Sequence, residues 1–235
     1  MFSASVDLYD DIYLDKDYRS EARLVTKILR QAAPGSERLL DVGCGTGEHI
    51  RHLVGYGFEI DGVDIDGSLL ALARAKNPDC RFYRAGMTEF QIPLRYDAIL
   101  CMFSAVGYVR TADKLRITLA NFRSHLTLAG IVILEPWVTP DQAPSGKTTK
   151  SIIGTGGKRI RRSCTFKVDN GMSVINMKYE VDEGGQVRSF SEEHRLGLFS
   201  REEMHAAFAD LGFRTRYLPP SPLLSRGLYL GQISG

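Results

Sequence analysis

The chain has no C-x-x-C, and its four cysteines, Cys44, Cys80, Cys101 and Cys164, stand far apart among 235 residues. Neither a zinc site nor a disulfide framework finds support in that spacing, and reduced thiols in a cytoplasmic protein are the simplest reading. No basic, apolar leader is visible either, since residues 1–11 are acidic. The longest nearly apolar run, 98–109, is too short to span a bilayer and holds Ser104 and Gly107. Internal repeats and low-complexity stretches are absent, and a net charge of +2 gives no basis for general nucleic-acid binding. What remains is an ordinary globular composition, 43% hydrophobic and 25% charged, of a size for one α/β domain with an elaboration.

The informative segment is Leu39-Leu40-Asp41-Val42-Gly43-Cys44-Gly45-Thr46-Gly47. It reads as a buried strand, a turn with three alternate glycines, and a helix entered at Glu48. Such a turn lets bare backbone approach a nucleotide-like ligand at a helix N-terminus. A dinucleotide fingerprint needs a third glycine at position 48, and Glu48 there would repel a pyrophosphate. A nucleoside cofactor without phosphate fits better, and S-adenosylmethionine is one. Asp41, just before the loop, is placed to accept hydrogen bonds. Asp64 ends the next strand, 19 residues beyond Gly45, close to the interval at which an acid meets ribose hydroxyls. Its neighbour Asp66 instead starts the helix bearing Leu69, Leu70, Leu72 and Ala73. Cys44 needs no reactive role, because a small residue suffices between two glycines.

Strands and helices alternate from there. Helix 19–32 precedes strand 39–43, a helix from 48, strand 59–64, a helix from 68, and strands at 81–84 and 96–101. Helix 112–127 and strand 130–134 follow. This rhythm implies a mainly parallel sheet with helices on both faces and ligands beyond the strands' carboxyl ends. After Trp137 the pattern changes to three strands, 158–168, 172–181 and 187–198, turned at Asn170-Gly171 and Gly184-Gly185. They are expected to form an antiparallel lid, 138–198, inserted into an α/β domain of residues 1–137 and 199–235. Ser200 and Glu203 make a capping box for another helix, and strands 213–218 and 228–233 close the chain.

Candidate chemistry gathers at strand ends, at Cys101-Met102-Phe103-Ser104 and Glu135-Pro136-Trp137. Trp137, the single tryptophan, could stack on a flat ligand; a core aromatic is the plainer alternative. His49 and His52 lack a partnered acid beside them, so no metal site is expected. Lys147, Lys150, Lys158, Arg159, Arg161 and Arg162 form a basic run suited to a solvated face, or to a phosphorylated substrate where one or two reach a site.

The loop and Asp64 resemble the cofactor signature of class I S-adenosylmethionine-dependent methyltransferases. The match extends to the nucleotide-sugar N,N-dimethyltransferases that make the dimethylamino sugars of macrolide antibiotics. It runs through Leu8-Tyr9-Asp10, Tyr13, Asp17-Tyr18, Glu21-Ala22, the two strand-end segments above, Gly107, Leu198-Phe199 and Arg226-Gly227-Leu228. The resemblance implies a doubly wound α/β fold with a mainly parallel seven-stranded sheet and the inserted antiparallel β lid. It implies a cofactor pocket formed by Tyr18, Gly43, Asp64, Met87 and Met102, joined by Asp41, Cys44, Gly45 and Ile65 around the loop and second strand. Tyr13, Glu135, Trp137, Arg162 and Arg226 should face the substrate. Three positions depart from the family. Gly86 stands where an acid usually meets the adenine amino group, leaving backbone, Thr88 and Glu89 for that task. Tyr108 replaces a histidine, so no histidine base carries over. Gly43 replaces an alanine, which is expected to be harmless.

The expected activity is methylation of the amino group of a nucleotide-linked amino-deoxysugar, through to the dimethylamine. Alignment of an uncharged amine should do most of the work, with Tyr13, Tyr108 and Glu135 as candidates for the departing proton. The alternatives are methylation of another small amine or hydroxyl, or a non-catalytic S-adenosylmethionine-binding protein, which the missing acid at Gly86 would favour. Beyond the small-molecule substrate, no nucleic acid or membrane is expected as partner, and the protein partner considered is a second copy in a homodimer.

Overall fold

A computed structural model describes residues 5–233 of the chain. Five parallel strands make the middle and one edge of its larger sheet: β1 (Arg38–Val42), β2 (Glu59–Asp64), β3 (Phe82–Arg84), β4 (Tyr96–Cys101) and β5 (Leu126–Leu134). Antiparallel β11 (Leu228–Ile233) sits between β5 and β10 (Phe213–Leu218). The seven strands run in the order β10-β11-β5-β4-β1-β2-β3. The alternating strand–helix reading is therefore correct, including both closing strands. Among the described residues, no helix is long and apolar enough to cross a membrane.

Both faces of this sheet are covered, so its strands are continuous apolar runs rather than alternating ones. Leu40, Val42, Ile99 and Cys101 pack on one side with Phe122 of α5 (Ala112–His125) and Phe208 of α6 (Arg201–Ala209). Leu39, Ala98 and Leu100 point to the other side. There they meet Ala22, Val25, Ile28 and Leu29, which recur at helical spacing along α2 (Tyr18–Ala32). Ile50 and Leu53 of α3 (Glu48–Val54) and Leu70 and Ala73 of α4 (Gly67–Lys76) complete that layer. Helix starts follow the side chains: Asp66 accepts from the N–H groups of Ser68 and Leu69, and Ser200 and Glu203 form the expected reciprocal cap.

Two features differ from expectation. Helix α5 stops at His125, and β5 begins at Leu126 rather than at Gly130, since Leu126 pairs with Tyr96 before a register shift. The inserted sheet has four strands, not three. Its additional strand, β6 (Thr148–Thr155), lies at the edge and carries exposed Thr148, Thr149 and Lys150, which hides it from a hydrophobicity pattern. The other three, β7 (Lys158–Asp169), β8 (Met172–Glu183) and β9 (Gln186–Gly197), follow in chain order with antiparallel registers. Asn170 and Gly171 both hold positive φ, 49° and 72°, as a tight two-residue hairpin turn demands.

The N-terminal segment joins the two sheets. Leu8 and Ile12, in and around the short helix α1 (Tyr9–Ile12), are buried against Ile160, Tyr179 and Val181 of the inserted sheet. Asp10 reaches the other way, to the Thr46 hydroxyl and to Lys76.

Candidate active site

A cavity of about 500 Å³ opens beyond the carboxyl ends of β1, β2 and β4, between the main sheet and the inserted one. At one end, beside the glycine loop, lie Gly43, Gly45, Asp64, Ile65, Met87 and Met102. At the other, beneath the inserted sheet, lie Tyr13, Tyr108, Trp137, Arg162 and Arg226. Residues expected at a cofactor and residues expected at a substrate thus line one continuous space. Tyr9 and Phe103 add aromatic walls.

The loop geometry explains its glycines. Gly43 has φ of 77°, and a Cβ there would stand 2.6 Å from the Cβ of Ala105. Glycine in place of the family's alanine is therefore required beside Ala105, not merely harmless. A Cβ on Gly47 (φ 76°) would meet Asn77 Nδ2 at 2.7 Å. The N–H groups of Gly43 and Cys44 both donate to the Val63 carbonyl, at 2.8 and 3.1 Å, which anchors the turn on β2. Asp64 then accepts from Gly45 N–H and from Asp66 N–H, each at 2.9 Å. Burial raises the Asp64 pKa; these bonds oppose the rise without cancelling it.

Four residues expected at the site lie outside the lining. Asp41 is 1% exposed beneath the loop; burial pushes its carboxyl up to about 6, and its Oδ2 has no hydrogen-bond partner among the described residues. Cys44 is buried, and burial drives its thiol far above the ordinary range, so it is no nucleophile. Tyr18 packs edge-on against His49, 5.0 Å between centroids. Glu135 is buried behind the cavity, where it accepts from Phe103 N–H at 2.7 Å and faces Arg226 at 3.6 Å. His49 does have an acid partner, contrary to the reading of its own helix. It stands 2.7 Å from Glu21, which α2 brings across 28 residues of sequence.

The far end combines unpartnered donors with a strained backbone. Trp137 Nε1 and Arg162 Nε are buried without a hydrogen-bond partner among the described residues. The guanidinium of Arg162 lies 5.7 Å from the Tyr13 ring centroid. Phe103 and Ser104 both adopt positive φ, 52° and 60°, an unfavourable pair held by the Glu135 bond and by Ser104 Oγ donating to Pro136 O at 2.6 Å. His194 also lines the cavity, although nothing in the motif reading points to it. Alternation along β9 carries the signal: Phe190, Glu192, His194 and Leu196 share one face, so two titratable groups sit on an inward-facing row.

The residues fit S-adenosylmethionine. Asp64 offers carboxylate lone pairs at a strand end, and Val42, Val63, Leu69 and Met87 give apolar walls.

A family described as a methyltransferase domain matches residues 39–130. The dTDP-3-amino-3,4,6-trideoxy-alpha-D-glucopyranose N,N-dimethyltransferase of Streptomyces venezuelae is 33% identical over 228 residues, 96% of this chain and 96% of that protein. The crystal structure of Streptomyces venezuelae DesVI superposes with a TM-score of 0.92 at 32% identity, covering 97% of this chain and 98% of that one. SAM-bound CalS10, an amino pentose methyltransferase from Micromonospora echinaspora involved in calicheamicin biosynthesis, gives 0.85 at 31% identity, covering 93% and 92%. The chain is an enzyme of the class I S-adenosylmethionine-dependent methyltransferases and belongs to the family of the dTDP-amino-sugar N,N-dimethyltransferases.

Proposed function

We propose that the protein methylates the amino group of a nucleotide-linked amino-deoxysugar, twice in succession, beneath a lid formed by residues 138–198. The observation that carries this reading is one cavity joining the Asp64 end to a basic, aromatic end with unpartnered donors. S-adenosylmethionine, when bound, supplies an electrophilic methyl group.

Much of the chain's own work is positioning. Asp64 holds the ribose hydroxyls while Gly43 and Gly45 let the loop backbone close on the cofactor. Arg162 and Arg226 take the diphosphate, for which a guanidinium is suited by charge and by its forked donors. Trp137 and Tyr13 flank the sugar and exclude water. Holding the neutral amine in line can contribute on the order of 7–11 kcal/mol in favourable cases. Glu135 orients Arg226 rather than removing a proton, because both its oxygens are engaged.

The test is incubation with S-adenosylmethionine and a panel of dTDP-amino-deoxysugars, read by mass spectrometry. Sequential addition of two methyl groups to one of them is expected. Turnover of simple amines such as glycine, with every nucleotide-sugar left unmodified, would overturn the assignment.

A further inference from the structure

Tyr108 lies in the short turn Ala105–Val109 that follows β4, and its hydroxyl crosses to the inserted sheet. The oxygen stands 2.7 Å from Nδ1 of His194 on β9. On the other side of that imidazole, Nε2 is 3.5 Å from Oε2 of Glu192. Glu192 and His194 are both buried, at 8% and 1% exposure. The carboxylate is fixed in turn by Ser5, whose N–H donates to Oε1 at 3.0 Å and whose hydroxyl donates to Oε2 at 2.9 Å.

The direction of the chain follows from what each group can do. Nε2 stands at ion-pair rather than hydrogen-bond range of the Glu192 carboxylate, and an acceptor-only carboxylate there favours the tautomer with its hydrogen on Nε2. Nδ1 is then an acceptor, and the Tyr108 hydroxyl donates to it. The hydroxyl hydrogen is then committed to His194, which leaves oxygen lone pairs to accept from another donor. Tyr108 and His194 both line that cavity.

We propose that Tyr108, His194 and Glu192 form a proton relay that receives the proton shed by the acceptor amine at each methylation; this rests on the N-methyltransferase reading above. The nitrogen lone pair forms the new bond to the methyl carbon, and the sulfur keeps the electron pair of the bond that breaks. The resulting ammonium loses its N–H proton to Tyr108 Oη. As that O–H bond forms, the hydroxyl's original O–H bond breaks and its proton passes to His194 Nδ1. Tyr108 ends neutral, as it began, and His194 ends as an imidazolium facing the Glu192 carboxylate. That proton must return to water before the next round, so dimethylation uses the relay twice.

A free tyrosinate and Glu135 are poor substitutes for the relay. Burial raises the Tyr108 pKa well above its ordinary value, so a free tyrosinate is not the base. A neutral tyrosine accepts a proton usefully only when it can hand its own proton on. Glu135 is tied to Phe103 and Arg226. Tyr108 is the catalytic residue here, while His194 acts through it and Glu192 sets the imidazole's tautomer.

Two measurements test the relay. The first compares Tyr108→Phe, His194→Gln and the double variant, using whichever dTDP-amino-sugar the unaltered enzyme methylates. Each single change should lower kcat about 10²–10⁴-fold, the usual contribution of general acid–base catalysis. The substrate KM and the S-adenosylmethionine Kd should stay within about threefold of the unaltered enzyme. The double variant should be no slower than the slower single one, because the groups act as a unit. A Tyr108→Phe loss below about tenfold, or multiplicative losses in the double variant, overturns the relay in favour of alignment alone. Should His194→Gln fail to fold, Tyr108→Phe decides, since it removes only a hydroxyl. The second measurement needs no substrate: ¹⁵N NMR of neutral His194 should show the hydrogen on Nε2, and hydrogen on Nδ1 would refute the chain. A protein that methylates no amino-sugar nucleotide but shows the Nε2 form would sink the substrate reading and leave the hydrogen-bonded chain supported.

Discussion

Arg226 lies over the indole of Trp137, its guanidinium carbon 4.3 Å from the ring centroid. Glu135 stands 3.6 Å from the same guanidinium, so one arginine is fixed by a stack and by a buried acid. Burial lowers the Arg226 pKa and raises that of Glu135, the signature of two desolvated charges. An anion arriving in the cavity would give the arginine a second charged partner beside Glu135.

Arg226→Ala should therefore raise the KM for the nucleotide-sugar about tenfold to a hundredfold, as expected for about 1.5–3 kcal/mol of charge-assisted contact. Cofactor affinity should move far less. Arg226→Lys should recover only part of the loss, because an ammonium neither stacks as a plane nor forks. Steady-state kinetics checks both, and a normal KM in Arg226→Ala would remove the diphosphate role.

Asp64→Ala should weaken S-adenosylmethionine binding by about 1.5–3 kcal/mol in calorimetry. The structure adds a second reason for the loss. Asp64 also receives the N–H of Gly45, so its removal frees the loop in addition to deleting the proposed ribose contact. Unchanged affinity would rule out both roles.

Much of this architecture is legible because it is local. Leu39 to Gly47 announces a strand, a turn and a helix within a single short segment, and the Asn170-Gly171 turn fixes the register of β7 on β8. The rest depends on distant packing. Leu8 and Ile12 are too few to show a helical face, and they acquire meaning only against Tyr179 and Val181. Tyr108 and His194 are 86 residues apart, and no period in either segment brings them together. β6 is an exposed edge, where hydrogen bonding to β7 rather than burial makes the strand.

Asp41 gives a pH dependence with a definite sign. Its carboxyl titrates at about 6 when folded, against an ordinary value of about 4, because burial disfavours the charge. Between those values the folded chain holds a proton that the unfolded chain has lost. Its contribution to stability is fully present below about pH 4 and is lost as pH rises through about 6. Asp41→Asn lacks that titration, so it should gain about 1–3 kcal/mol relative to the unaltered protein across this window. Urea titrations at about pH 4.5 and about pH 7 check it, and a constant difference would show that Asp41 is not the responsible group.

Glu89, exposed beside Gly86, is the acid expected to serve adenine in this chain. A Cβ on Gly86 would lie 3.1 Å from Glu89 Oε1, so the Glu89 carboxylate occupies the space beside the glycine that replaces the family's acid. The backbone makes this possible: Glu89 N–H and Phe90 N–H both donate to the Gly86 carbonyl at 3.1 Å, turning residue 89 back over residue 86. Thr88 lines the cavity at the same turn. Glu89→Ala should weaken S-adenosylmethionine binding by about 1.5–3 kcal/mol if the carboxylate accepts from the adenine amino group. Gly86→Asp added to that variant should restore most of the affinity, since it returns an acid to the same place without a second carboxylate beside it. Gly86→Asp alone should bind worse than the paired variant, because the introduced carboxylate and that of Glu89 would then repel. The discriminating ligand is the deaminated cofactor with hypoxanthine in place of adenine. The unaltered protein should bind it poorly, and Glu89→Ala should lose almost nothing further. Equal losses for both ligands would mean that Glu89 shapes the turn without touching the base.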